Sequence, residues 1–278
     1  METLDKIFDY KLNSSMDDYI LETLEEYKLY LKLLEQLDPK VRSAFLWTIK
    51  HNEIINNHEM EHEDAFMIQL ELNSGDNTKT KTSIDVMSDF IINENQMTIK
   101  DFEKIHRLLI RGTTDDIEKN YPIRTTDTSV CEIDNGRLIT QYIPPAPEQI
   151  RPYLLKLFEF MNNFDDCNEK DIFYKSILEH FYIAALQPFG NGNTRMARLI
   201  EYSEIFKLTR KLLGVDLNKP ALFMSKNHLM TRGTYRDNIA RLVCEPTDEN
   251  FNKWINYNLN TINEQLYFCK ERLGKRII

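Results

Sequence analysis

The chain has 278 residues, with 35 Lys+Arg against 44 Asp+Glu and a formal net charge of -9. That length can bury one large core, or one domain with an appendage, while the acidic balance argues against a nucleic-acid surface, which needs a basic face. Cys131, Cys167, Cys244 and Cys269 are widely spaced, without a Cys-x-x-Cys pair, so reduced thiols are expected rather than disulfides or a zinc cluster.

No apolar run approaches the length of a bilayer span, and the N-terminus lacks the basic-then-apolar order of a signal peptide. A cytoplasmic location without membrane association is expected, with export by a dedicated system left open. Residues 16–37 carry a helical stripe (Tyr19, Ile20, Leu24, Tyr27, Leu31, Leu34), with Ser15 and Asp18 forming a capping-box-like start. Asp38-Pro39 supplies the cap and first residue of a second helix running to about residue 56. The polar stretch 71–82 reads as a loop, and helices are expected over 84–92 and 99–111, the latter capped by Thr98.

Between 123 and 142 the period changes to alternation around Asp134-Asn135-Gly136, the one hairpin signal in the chain. Pro144-Pro145-Ala146-Pro147 ends it. A helix with Leu154, Leu157 and Phe158 follows, and then 171–186, apolar almost all round and therefore expected to be the buried central helix. Residues 199–206 continue the core, and 235–243 and 251–272 read as closing helices. The sum is an all-α chain with one hairpin.

Two motifs carry chemistry. His58-Glu-Met-Glu-His62 has the spacing of a two-histidine zinc helix. Its polar neighbours (Asn56, Asn57, Glu61, Glu63, Asp64) and the absence of a third ligand downstream favour a solvated helix end. The second is Gln187-Pro-Phe-Gly-Asn-Gly-Asn-Thr-Arg-Met-Ala-Arg198, where a helix ends, glycines turn the chain and a new helix begins at Asn193 or Thr194. Free N–H groups and the positive helix end suit an anion, and Arg195 and Arg198, three apart, can reach the same one. The bland alternative pairs these arginines with Glu201 or another carboxylate. The order fits neither a Walker-type phosphate loop nor a dinucleotide fingerprint.

This second stretch resembles the signature of the Fic/Doc (Fido domain) family, H-P-F-x-[DE]-G-N-[GK]-R-x-x-R. The resemblance extends from about residue 96 to 265: a helix with Ile105-His106-Arg107, a flap hairpin with a proline-rich exit over 121–147, and closing helices over 235–259. It implies the Fic (Fido) helical fold with one β-hairpin flap. The implied domains are an N-terminal helical region over 1–95, a Fido domain over 96–265 and a C-terminal helix end over 266–278. It also implies a protein adenylyltransferase (nucleotidyltransferase), moving AMP or a related phosphate-containing group from ATP, with Mg²⁺, to a Ser, Thr or Tyr hydroxyl of a protein held along the flap.

By the same resemblance Gly190, Gly192, Asn193, Thr194, Arg195, Arg198 and Tyr235 are nucleotide-binding, with Arg195 also catalytic. Gln187 stands where the family has its base, and Asn191 where it has the Mg²⁺ carboxylate. An amide orients a hydroxyl but cannot deprotonate it, and a neutral oxygen is a weak ligand for a hard cation. His180, inside an apolar helix, reads as a buried structural histidine rather than a substitute base. The family's inhibitory pattern [ST]-x-x-x-E-[GN] is best approached at Glu53, in the helix expected over about 39–56, although Ile49 and Ile54 depart from it. Two functions follow: AMP transfer impaired at Gln187 and Asn191, or a catalytically inactive nucleotide-binding regulator that grips a partner through the flap. The resemblance leaves oligomerisation open.

Overall fold

The structure is a computed structural model that describes residues 2–60, 83–93, 95–111, 113–134, 137–162, 168–213, 217 and 220–277. Helix α1 (Glu2–Lys6), which the hydrophobic spacing does not predict, is pinned by Thr3, whose hydroxyl donates to the Val243 carbonyl at 3.1 Å. Helix α2 (Ser14–Glu35) starts earlier than expected because Asn13, not Ser15, caps it: Asn13 Oδ1 accepts the Met16 N–H at 2.9 Å. Its buried stripe, including Ile20, Leu24, Tyr27, Leu31 and Leu34, is the one the 3.6-residue period marks. Helix α3 (Pro39–Met60) begins at the expected Asp38-Pro39 pair and runs past the expected end at 56. Of the zinc-like motif, residue 58 lies in α3 and residue 62 outside the described residues, as do the loop expected over 71–82 and Cys167.

Helices α4 (Ser83–Ile92) and α5 (Ile99–Ile110) follow, and Thr98 caps α5 by accepting the Asp101 N–H at 3.3 Å. The hairpin is shorter than expected. Strands β1 (Val130–Asp134) and β2 (Arg137–Tyr142) pair antiparallel, with Cys131 opposite Thr140 and Asp134 opposite Arg137, and its Asn135-Gly136 tip is outside the described residues. Residues 123–129 are not strand. Instead Ile123 makes an isolated bridge to Phe189, and the Arg124 N–H donates to the Pro188 carbonyl at 2.9 Å.

Helices α6 (Pro147–Asn162), α7 (Glu169–Leu186), α8 (Asn193–Leu213), α9 (Ser225–Met230), α10 (Arg232–Cys244) and α11 (Asp248–Ile277) complete the chain. Helix α9 has no counterpart in the sequence reading, and α11 continues unbroken through residue 265. As expected, α7 is the buried centre: α8 packs along it, with α2, α6 and α10 against its other sides. Trp254 from α11 is fully buried and donates its indole N–H to the Ile177 carbonyl of α7 at 3.1 Å. Each such large side chain removed from water contributes about 1.5–3 kcal/mol. Cys131, Cys244 and Cys269 are free thiols, and no helix among the described residues is long and apolar enough to cross a membrane.

Candidate functional site

Helix α7 stops because Gln187 takes the left-handed conformation, with φ 49° and ψ 60°, which costs a non-glycine residue about 1–2 kcal/mol. Three hydrogen bonds hold it there. Its Nε2 donates to the Ala184 carbonyl at 2.7 Å, its Oε1 accepts from Asn193 Nδ2 at 2.8 Å, and its carbonyl accepts from Arg124 Nε at 2.7 Å. Both ends of the amide are thus engaged at the position where the resembled signature has its base.

The turn itself is set by close approach. Gly192 has φ 74°, and a Cβ there would lie 2.7 Å from Ile110 Cγ2 and 3.0 Å from His106 Nε2. His106 holds the Asn191 carbonyl at 2.8 Å through Nε2, and its ring lies flat on Phe189, centroids 3.6 Å apart and planes 2° apart. Burial, with the Arg195 guanidinium close by, pulls the His106 imidazole down to about 4. It is therefore neutral at pH 7, and donation to a carbonyl puts its proton on Nε2. Phe189 is fully buried.

The new helix was expected to begin at Asn193 or Thr194. Asn193 is the first residue of α8, and its side chain folds back, accepting the Phe189 N–H at 2.8 Å and donating to the Phe189 carbonyl at 3.0 Å. Thr194, Arg195 and Arg198 follow in the first turns of α8, and both arginines are buried.

Arg195 meets a carboxylate and Arg198 an amide oxygen. Arg195 Nη2 donates to Asp115 Oδ2, while Asn191 Nδ2 donates to Asp115 Oδ1. Asp115 lies in the Thr113-Thr114-Asp115-Asp116 stretch after α5, which has no hydrophobic period to draw attention to it. Arg198 Nε donates to Asn57 Oδ1 at 2.7 Å. One turn before Asn57 on α3, Glu53 is buried and accepts from the Ser225 N–H at 3.2 Å and the Ser225 hydroxyl at 2.5 Å. Burial pushes the Glu53 carboxyl up to about 7, against the lowering pull of Ser225, Tyr202 and the Arg198 charge.

Glu201 pairs with His180, whose Nδ1 lies 2.6 Å from Glu201 Oε2, while His180 Nε2 lies 2.7 Å from the Tyr235 hydroxyl. Tyr235, expected among the nucleotide-binding residues, is thus buried with its hydroxyl taken by His180. His228 Nδ1 meets the Tyr257 hydroxyl at 3.0 Å, and His180, Glu201 and His228 bring donor atoms within 4.8 Å of one another. Burial lowers both imidazoles well below the usual histidine range and raises the Glu201 carboxyl to about 8. The Arg198 charge acts on all three groups, which weighs against a cation among them. His180 is buried, as the sequence reading held.

Residues 96–203 match the Fic/DOC family model. Three solved structures share the fold at low identity. A Fic family protein from Desulfovibrio desulfuricans aligns with a TM-score of 0.69 and 15% identity over 95% of this chain and 76% of that one. Fic-1 from C. elegans gives 0.64 and 14% over 95% and 74%. A Fic domain containing signaling protein from Bacteroides thetaiotaomicron gives 0.65 and 14% over 91% and 98%. The helices and the one hairpin among the described residues agree with those likenesses. The chain carries a Fic/DOC family domain over residues 96–203.

Proposed function

We propose that the chain binds a nucleoside polyphosphate at 190–198, and that it is a Fic-type nucleotide-binding protein whose AMP transfer is impaired at Gln187. In such a transfer a protein hydroxyl attacks the α-phosphorus, the bond from that phosphorus to the bridging oxygen breaks, and pyrophosphate leaves. The hydroxyl proton needs an acceptor. Arg195 and Arg198 at the N-terminal end of α8 support the phosphate-binding half of this reading. The observation that carries the impaired half is the Gln187 amide, bonded at both ends to Ala184 and Asn193. It leaves no basic atom at that position, and absence of a general base costs about 10²–10⁴ in rate. Mg²⁺ would neutralise phosphate charge when bound. Incubation with α-labelled ATP and Mg²⁺, beside calorimetric ATP titration, tests the reading. Binding with weak or absent labelling is expected, and no ATP binding would overturn it.

A second reading, a non-catalytic regulator that grips a protein through the flap, draws on the hairpin's surface. Leu138 is 72% exposed, and Ile143 just beyond β2 is 70% exposed, an apolar edge that an extended segment could cover by strand addition. A Leu138→Asp, Ile143→Asp variant that binds ATP normally but keeps every protein contact of the parent would count against this reading.

A further inference from the structure

The carboxylate that position 191 lacks is present from another part of the chain: we infer that Asp115 is the protein ligand of the divalent cation that accompanies the nucleotide phosphates. The inference rests on the nucleotide-binding reading above. Asp115 is 76 residues ahead of Asn191 and 80 ahead of Arg195, yet one oxygen accepts from Asn191 Nδ2 and the other from Arg195 Nη2. Asn191 in this arrangement is a poor metal ligand. Its Nδ2 faces Asp115 and its Oδ1 accepts the Gly192 N–H at 3.0 Å. Asp115 brings anionic oxygens to the cradle, and its side chain keeps 15% of its surface exposed.

The amide at 191 and the acid at 115 make sense together. A carboxylate at 191 would meet Asp115 at hydrogen-bond range, and two like charges so close oppose each other's ionisation. An amide there donates to Asp115 instead, so the negative charge is relocated within the site.

Asp115 is also held independently of Arg195. Its N–H donates to Thr113 Oγ1 at 3.1 Å, and its carbonyl accepts from Asn120 Nδ2 at 3.0 Å. When a phosphate takes Arg195, Asp115 therefore stays at the site, now facing an added anion with its cationic partner drawn away. A hard divalent cation between the carboxylate and the phosphate oxygens satisfies both, since oxygen donors of this kind are what Mg²⁺ takes.

The test compares ATP affinity with Mg²⁺ and with EDTA in the parent chain and in Asp115→Asn, by calorimetry, with Mn²⁺ and its electron paramagnetic resonance signal as the direct metal probe. Asp115→Asn is expected to lose roughly 10-fold or more of the gain that Mg²⁺ gives, to bind metal-free ATP at least as well as the parent, and to lose the ATP-dependent Mn²⁺ signal. The carboxylate swap Asp115→Asn, Asn191→Asp is expected to regain the Mg²⁺ gain, which also controls for folding. A full Mg²⁺ gain in Asp115→Asn would overturn the inference, as would equally tightened binding with and without metal, which would make Asp115 only a competitor for Arg195. ATP binding that ignores Asp115 in this way sinks the inference alone. No ATP binding by the parent sinks the nucleotide reading and the inference with it.

Discussion

Gln187 and Asn193 grip one another across the double-glycine turn, Asn193 Nδ2 donating to Gln187 Oε1 at 2.8 Å. The side chain that closes α7 is thereby tied to the first residue of α8. Gln187→Ala removes this bond and the one to Ala184, so a loss of about 1–3 kcal/mol is expected, read from the urea midpoint. Gln187→His places a basic nitrogen at the same point. A rise in labelled-AMP transfer of roughly 10²-fold or more is expected even with Asn191 unchanged, because Asp115 supplies the acid. If transfer appears only after Asn191→Asp is added, Asp115 does not do that work.

Gly192 and Gly190 differ in what a methyl group would meet. At Gly192, φ is 74° and the new Cβ would press on Ile110 at 2.7 Å. Gly192→Ala should destabilise by about 2 kcal/mol or more, from left-handed strain plus overpacking. At Gly190 the obstacle is the Asn120 side-chain oxygen at 2.7 Å. That side chain can yield, at the expense of its bond to the Asp115 carbonyl, and Gly190 has no positive φ to strain, so Gly190→Ala should cost less. Thermal melts of the two variants check the order; equal losses would contradict it.

Two buried groups give stability opposite pH dependences. Glu53 is raised in the folded chain from 4.5 to about 7, so its contribution is complete below pH 4.5 and is lost as pH rises through 7. Arg198 and Tyr202 on α8 and Ser225 on α9 face it, and each favours its charged form without offsetting burial. Glu53→Gln should flatten the fall in melting temperature between pH 5 and 8. His106 is lowered from 6.5 to about 4, so its contribution is complete above pH 6.5 and is lost as pH falls through 4. An NMR titration that protonates His106 near pH 6.5 would refute the packing described for its ring.

Arg124 joins the flap to the cradle. Buried at 5% exposure, it donates to the carbonyls of Gln187 at 2.7 Å, Thr126 at 2.9 Å and Pro145 at 2.5 Å. Arg124→Met keeps much of the volume and leaves those carbonyls unpaired. Amide exchange in 130–142 should accelerate, with a stability loss of about 2 kcal/mol or more. Unchanged exchange in β1 and β2 would show that the flap is held by other contacts.

The architecture was legible where side chains repeat with a period. The apolar run of α7 and the stripe of α2 announce themselves, and the glycines, arginines and Asn-Gly pair mark turns whose geometry few residues permit. What was hidden lacks a local pattern. Asp115 sits in a short polar stretch, and what singles it out is contact with residues 76 and 80 positions away. Helix α9 spans only Ser225–Met230, too short for a period, yet Ser225 binds Glu53 from 172 residues away. The strand expected from 123 fails for a tertiary reason as well: Ile123 and Arg124 bond to Phe189 and Pro188 rather than to the hairpin.

The Asp115–Arg195 pair has a consequence for how an anion arrives. The guanidinium already holds a carboxylate, so on the proposed reading nucleotide binding would exchange one anion for another, with little net change in the number of close ion pairs. The dependence of ATP affinity on added salt should accordingly be shallow for the parent chain and steeper for Asp115→Asn, in which the incoming phosphate meets an Arg195 without that internal rival.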